Sequence, residues 1–530
     1  MAAHHGREDY FVVGEGLLGV TAPSVPGAVA SASLAEPDLR AFRFSRLGPK
    51  GRAMPERLRR RLAAAMTMDV DAGGPTLRSA VPAGYTYLGQ FLDHDLTFDR
   101  SRLREDAVVP VADLVQGRSP SLDLDSLYGL GPGLTPAFHA SGGRLRIGAT
   151  RRSDFRTPGV DDGPRAGFDL PRRPDGSPLI PDPRNDENLA VAQTHLHFIR
   201  FHNRVVAMLA ADGVPPGERY GRAREIVVRH YQWMIRTDFL PRIVKPQLVD
   251  DVFTRGRRVF ETAPPPGAAP TMPVEFSVAA YRLGHSMVRT AYDWNRVFED
   301  GAGSLSLLFG FTGGGGLGGG PRLPTNWIAD MRRLYDFREA GRPDLRPMVG
   351  GRSRLNMARR IDTLLANPLA DLPAGSTGGP EGVAVRRNLA FRNLTRARML
   401  QLATGQQMLA LMRSRGVTVS GLDADRIIRG NRGADLSGLD AAQRRLLGRE
   451  TPLWFYVLRE AEFNGGRMAG VGGRIVAETF HRAIEGSTIS ILADPAWRPT
   501  LGPDPDTFRM VDLLLVAAEG REELLNPLGG

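Results

Sequence analysis

Six stretches of this chain, at roughly residues 188–212, 219–245, 273–290, 385–413, 440–464 and 470–485, space their apolar residues with the period of a helix. Alternating apolar and polar runs are scarce, so the expected fold class is mainly α, with few short strands. Helical periodicity begins near "MPERLRRRLAAAM", after a Gly-, Pro-, Ala- and Ser-rich start that reads as an extended arm over residues 1–50. No long polar linker interrupts residues 51–530, which are expected to form one large helical domain. With 42% hydrophobic residues, a chain of 530 can bury a core of that size. The run Gly313–Gly320 lacks the Gly-Lys-Ser/Thr ending of a phosphate cradle and reads as a flexible connector.

The absence of cysteine excludes disulfides, thiolate nucleophiles, zinc ribbons and iron–sulfur clusters. Any metal must then be held by histidine, carboxylate or carbonyl. The net charge of +11 is carried almost wholly by arginine, since lysine occurs only at Lys50 and Lys245. No arginine-rich run is interleaved with aromatics as a nucleic-acid groove requires, so nucleic acid is not an expected partner. No apolar run reaches the roughly 18 residues of a membrane-spanning helix. The start "MAAHHGREDY" carries charges where a signal peptide has its apolar core. Cytoplasm is the default compartment, with non-classical secretion left open.

The stretch "YTYLGQFLDHDLTFD" sets Asp93, His94 and Asp95 in an apolar, aromatic segment, where buried charge is costly unless paired, hydrogen-bonded or bound to a metal. A helix puts Gln90 and His94 one turn apart on one face and points Asp95 elsewhere, toward a different partner such as a cation. In "LIPDPRNDENLAVAQTHLHFIRFHNRVV", Arg184 and Glu187 stand where a Pro-rich loop enters a long helix, and both can lean over one pocket. His195 and His202 lack the four-residue spacing of a metal pair and read as core or interhelical residues. In "FSVAAYRLGHSMVRTAYDWN", Arg282 precedes His285 by one turn, and Gly284 suggests that something flat or bulky approaches the backbone. In "NLAFRNLTRARMLQLATGQ", Asn393 and Arg396 are polar residues in an apolar helix start, and an asparagine there either caps or orients a histidine.

In this order and at these separations, over roughly residues 80 to 485, the four blocks resemble the animal-type haem peroxidases of the peroxidase/cyclooxygenase superfamily, in particular the bacterial branch. The resemblance implies a single helical domain with haem between a distal and a proximal helix. It implies that His94 is the distal histidine, with Gln90 beside the distal water or halide position and Arg184 as the distal arginine. His285 is then the proximal iron ligand, Asn393 the residue fixing its imidazole, and Arg282 the neighbour of a haem propionate, with Arg396 also in the cofactor-binding set. Asp93 and Glu187 match carboxylates that form esters with methyls of haem b. Asp95 matches a calcium ligand, joined by Ser119, Ser121, Asp123 and Asp125 of "RSPSLDLDSLYG". Those carboxylates, hydroxyls and carbonyls supply most of the six to eight oxygens calcium takes.

The activity implied is reduction of hydrogen peroxide, through an oxyferryl porphyrin radical that small organic donors or halides then reduce. Histidine has a pKa near working pH without adjustment, which suits His94 to take and return a proton. A fatty-acid dioxygenase of the same superfamily is the nearest alternative. Its radical-forming tyrosine lies three residues before the proximal histidine, where this chain has Arg282. A haem-free basic scaffold for anionic partners is the alternative from another class, and the oligomeric state is not readable from the sequence.

Overall fold

The computed structural model describes residues 9–12, 16–19, 42–67, 78–101, 107–152, 167–372 and 384–528. The expected N-terminal arm lies mostly outside them. Helices α1 (Glu56–Met66), α2 (Gly84–Leu96), α3 (Leu189–Ala211), α4 (Pro216–Met234), α5 (Leu389–Met399), α6 (Leu453–Glu462), α7 (Gly470–Glu485) and α8 (Met510–Ala517) carry the framework. Among the described residues, strands pair only two by two, as expected for a mainly α fold. None of the helices there is long and apolar enough to cross a membrane.

Helix α2 is the centre of the core, with Leu88, Phe91, Leu92 and Leu96 fully buried. Phe91 stacks on Phe198 of α3 with ring centroids 4.5 Å apart, and Tyr231 of α4 closes on Phe198 edge-on at 5.7 Å. Burying each such ring contributes roughly 2–3 kcal/mol, so α2 is held rigidly by its apolar face while its polar face is free to carry a site. Arg200 of α3 donates to the Ala517 carbonyl at 3.0 Å, satisfying the C-terminal end of α8. On the opposite side, Arg59 of α1 donates to Thr395 Oγ1 of α5 at 2.9 Å. Helices α6 and α7 lie so close that a Cβ added at Gly472 would sit 2.8 Å from Val457 Cβ.

Most of the long helical stretches expected from periodicity are interrupted. Asn188 caps α3 by accepting from Val191 N, and α7 runs as the period predicts. The stretch 440–464 breaks before α6 at Pro452, whose predecessor is disfavoured in a helix. Beyond α4, the chain makes a π-helical turn over Ile235–Phe239 before resuming at Leu240–Ile243. The stretch 273–290 differs most. It divides into Val274–Ser277, a 3₁₀ turn over Ala280–Leu283, and Gly284–Met287. Side-chain donors take carbonyls that a continuous helix would use: Arg282 Nε, from within the segment, bonds the Ser277 carbonyl at 2.8 Å, and Trp454 Nε1 bonds the Arg282 carbonyl at 3.3 Å. The glycine-rich run is likewise a built loop rather than a loose connector. Gly313 N donates to Asp186 at 2.8 Å, and Leu317 is buried.

Candidate active site

The polar face of α2 meets the turn that enters α3. Asn188, while capping α3, donates from Nδ2 to Gln90 Oε1 at 2.9 Å, and Gln90 Nε2 donates to Glu187 Oε2 at 3.1 Å. That places Glu187 Oε2 3.9 Å from His94 Nε2. Burial pushes Glu187 up to about 8, more than nearby Arg184 pulls it down, while burial and then Arg184 push His94 down to about 3. At neutral pH both groups are therefore uncharged and the contact is no ion pair. Two buried atoms here have no hydrogen-bond partner, His94 Nε2 and Glu187 Oε1. Buried polar atoms are normally satisfied, so this pair is available to a further hydrogen-bonding group.

Arg184 is fixed from one side. Its Nε and Nη2 bind Asp182 at 3.0 and 2.7 Å, and Nη2 also reaches the carbonyls of His94 and Thr97. Among the described residues Nη1 makes no bond. Burial alone would raise Asp182, but Arg184 and Arg118, the latter 2.6 Å away, hold it well below the carboxylate range. The guanidinium thus stays charged in a fully enclosed position.

Sequence reasoning missed Asn185. Its Oδ1 lies 2.8 Å from His94 Nδ1 and its Nδ2 lies 2.9 Å from Nδ1 of His195. The amide oxygen can only accept, so the His94 proton is on Nδ1 and Nε2 carries the lone pair. His195, read from sequence as a core residue, is indeed fully buried, yet it terminates this chain of bonds. The available signal was the polarity of "DPRNDEN", where a third side chain lies between Arg184 and Glu187.

Asp93 is buried and accepts from Thr97 Oγ1 at 3.2 Å. Burial raises its pKa, opposed by Arg282 and Arg184, so it lies within electrostatic reach of both the α3 entrance and the His285 segment. Tyr281 joins the two sides directly, donating to the Gly89 carbonyl at 3.2 Å. A Cβ added at Gly284 would meet nothing within 4 Å, which leaves open space beside His285.

His285 pairs with Asn393 of α5 as expected, but the amide faces the other way. Asn393 Nδ2 lies 2.9 Å from His285 Nδ1, which puts the ring proton on Nε2, where an iron ligand needs a lone pair. Turning the amide end for end, a change between groups of nearly equal size, sets the oxygen on Nδ1 and frees Nε2. Arg396 is drawn into an ion pair with Asp99, tying α5 to the segment after α2.

The loop residues expected to hold calcium are gathered but engaged with protein donors. Asp95 accepts from Ser126 N at 3.1 Å, Leu124 N at 3.3 Å and the Tyr231 hydroxyl at 3.0 Å. Asp123 accepts from Thr488 N at 3.0 Å, and Ser121 donates to the Gly486 carbonyl at 3.1 Å. Ser119 is buried. Burial, Asp123 and Asp95 together push Asp125 up to about 7, and burial pushes Asp95 up to about 6. Among the described residues no three acidic or histidine side chains converge as metal ligands.

The animal haem peroxidase family model matches residues 80–304, which include α2, the α3 entrance and His285. A peroxidase-like protein of Margaritifera margaritifera is 34% identical over 114 residues, 21% of this chain and 14% of the relative. Thyroid peroxidase of Rattus norvegicus is 28% identical over 185 residues, 33% of this chain and 19% of the relative. The chain therefore matches less than a fifth of either relative's length. Among solved structures, peroxidase A of Dictyostelium discoideum superposes with a TM-score of 0.57 at 16% identity, covering 92% of this chain and 94% of that one. A fatty acid alpha-dioxygenase of Arabidopsis thaliana gives 0.56 at 13% identity, covering 91% and 78%. The fold is shared over nearly the whole chain, and the match to the animal haem peroxidase family model falls on the segment that carries the site.

Proposed function

We propose that this protein is a haem-dependent peroxidase that reduces hydrogen peroxide and oxidises small organic donors or halides. The observation that carries the reading is His94, enclosed and neutral, with its proton held on Nδ1 by Asn185 and an unpartnered Nε2 beside Arg184. The residues fit the cofactor: His285 would hold the iron, Asn393 its imidazole, Arg282 a propionate, and the open space at Gly284 admits a flat group. When bound, haem would supply the redox chemistry that cleaves the peroxide O–O bond.

The chain supplies the proton movements and the charge. His94 Nε2 takes the proton from one peroxide oxygen and returns it to the departing one, which a neutral ring with a fixed tautomer can do without rotating. The resulting imidazolium needs relief from its desolvated setting, and the Asp182 carboxylate favours it. Arg184, anchored through Nε and Nη2, directs Nη1 charge at the leaving oxygen. Gln90, fixed by Asn188 and Glu187, positions water or halide. Asp93 and Glu187 would be the carboxyls that form ester links to haem. We assign calcium to the loop of Asp95, Asp123 and Asp125, whose mutual repulsion a divalent cation relieves.

Absorption spectra of haem-supplied wild type, His285→Ala and His94→Ala test this reading. A Soret band lost in His285→Ala, with a peroxide-induced spectral change lost in His94→Ala, is expected. Folded wild type that takes up no haem overturns it in favour of the basic scaffold. The dioxygenase reading is weakened by Arg282 at the radical position and by the Tyr281 hydroxyl being bonded to the Gly89 carbonyl.

A further inference from the structure

A cavity of about 570 Å³ opens beyond the end of α4, lined by Trp233, Arg236, Phe253, His481, Ser490 and Trp497, none of which belongs to the site above. Arg236 sits in the π-helical turn after α4, a kind of turn that recurs at functional sites. Its guanidinium carbon lies 5.9 Å from the Trp233 ring centre and 5.3 Å from that of Phe253. Among the described residues it forms no hydrogen bond and no ion pair, although it is half-buried and burial lowers its pKa. The acids at the cavity wall are already matched: Asp506 pairs with Arg498 at 2.7 Å, and Glu485 with Arg257 at 2.8 Å and Arg482 at 3.4 Å. Exposed Asp250 favours the Arg236 charge from beyond ion-pair distance, and Arg498 opposes it. Among the described residues, one cation with neither a hydrogen bond nor an ion pair therefore faces the cavity.

Two further donors stand beside it. Arg257 Nη1 donates to His481 Nδ1 at 2.6 Å, which leaves the ring proton on Nε2. Burial, then Arg257, keep that ring neutral by pushing it down to about 4. Ser490 Oγ accepts from Leu492 N at 3.2 Å and retains its own proton to give. Trp233 and Trp497 meet edge-on at 5.7 Å and supply flat apolar walls.

We propose that this cavity binds a small planar aromatic carboxylate, its carboxylate on Arg236 and the His481 Nε2–H and its ring against Trp233 and Trp497. A guanidinium matches a carboxylate with two parallel bonds, and indole faces take a flat ring. The volume lies within the roughly 300–1,000 Å³ of small-molecule sites. The assignment goes beyond the peroxidase reading and does not depend on it.

Equilibrium dialysis and tryptophan fluorescence with 2-naphthoate test it, on haem-loaded protein with saturating cyanide closing the iron site. One saturable site is expected, with affinity at least about tenfold weaker for Arg236→Gln, for Trp497→Leu and for the neutral isostere 2-naphthylmethanol. Arg60→Gln, exposed on α1, paired with Glu56 and outside the cavity, should bind as wild type. Unchanged binding by a folded Arg236→Gln, equal binding of the neutral isostere, or loss of binding under cyanide each overturns the proposal. Should Arg236→Gln not fold, an unchanged Trp497→Leu overturns it alone. A protein that takes up no haem but binds naphthoate in this pattern fails the peroxidase reading while supporting this one.

Discussion

At His94, the nitrogen that carries the proton is set from outside the ring, since Asn185 Oδ1 accepts from Nδ1 and Nε2 keeps a lone pair. General acid–base catalysis contributes about 10²–10⁴-fold, so losing the tautomer should forfeit part of that. Asn185→Leu, close in size but unable to accept, is expected to slow the reaction with peroxide by about 10²-fold while the Soret band stays as in wild type. Asn185→Asp keeps the acceptor and should stay within a few-fold of wild type. Stopped-flow mixing with peroxide checks both, and a Leu variant as fast as wild type reduces Asn185 to packing. The sequence grouped Gln90 with His94 by helical spacing, and Arg184 with Glu187 by their place where a Pro-rich loop enters a helix. Asn185 was not legible in either way, because its two partners lie 91 and 10 residues away and only the fold joins them. The place of Asn393 beside the His285 ring follows from the sequence, whereas which end of its amide faces Nδ1 depends on the ring's proton.

Among the elements, periodicity located α3 and α7 nearly to the residue, because one buried face runs their whole length. It failed over 273–290, where side-chain donors, one of them from distant Trp454, claim the carbonyls. The loop from Ser119 to Asp125 shows the same limit. Its alternating oxygens were legible, but the bonds from Ser126 N and Tyr231 to Asp95, and from Thr488 N to Asp123, come from elements distant in the chain. The raised pKa values of Asp95, Asp123 and Asp125 reflect charge held against burial, and at Asp125 against its two acidic neighbours, a cost that a bound cation offsets. Calcium should therefore raise the thermal midpoint of the wild type at pH 7.5, a chelator should lower it, and both effects should shrink in Asp125→Asn. A calcium-insensitive midpoint in wild type removes the metal from the loop. The effect has a definite sign, since binding only the native state stabilises by mass action.

Over the whole molecule, buried titratable groups act on stability in opposite directions. Burial, the leading cause in every case, pushes His94, His195 and His197 down to about 3 and His202, His230 and His481 to about 4. Between those values and the unperturbed 6.5, the unfolded chain binds their protons and the folded one does not, so stability gains from them as pH rises. Burial also pushes Asp95, Asp362 and Asp512 up to about 6, Asp125 to about 7, and Glu187 and Glu460 to about 8. Above their unperturbed values the folded chain holds these protons and the unfolded one does not, so stability is lost as pH rises. Near pH 5 the six histidines and six carboxyls oppose one another, and above 6.5 only the higher carboxyls remain. Metal-free protein should accordingly show a thermal midpoint nearly flat across pH 5–6 that falls from about 6.5 to 8.5. Glu460 isolates one contribution, because it belongs to neither the proposed haem-binding set nor the calcium loop and, from α6, accepts from Val471 N and Gly472 N of α7 at 3.1 Å each. Glu460→Gln gives up one of those acceptors and should lower the midpoint at every pH, yet its decline between pH 6.5 and 8.5 should be shallower than wild type. Calorimetry across that range reads the slope, and parallel curves for the two proteins would mean that Glu460 is already ionised in the folded chain.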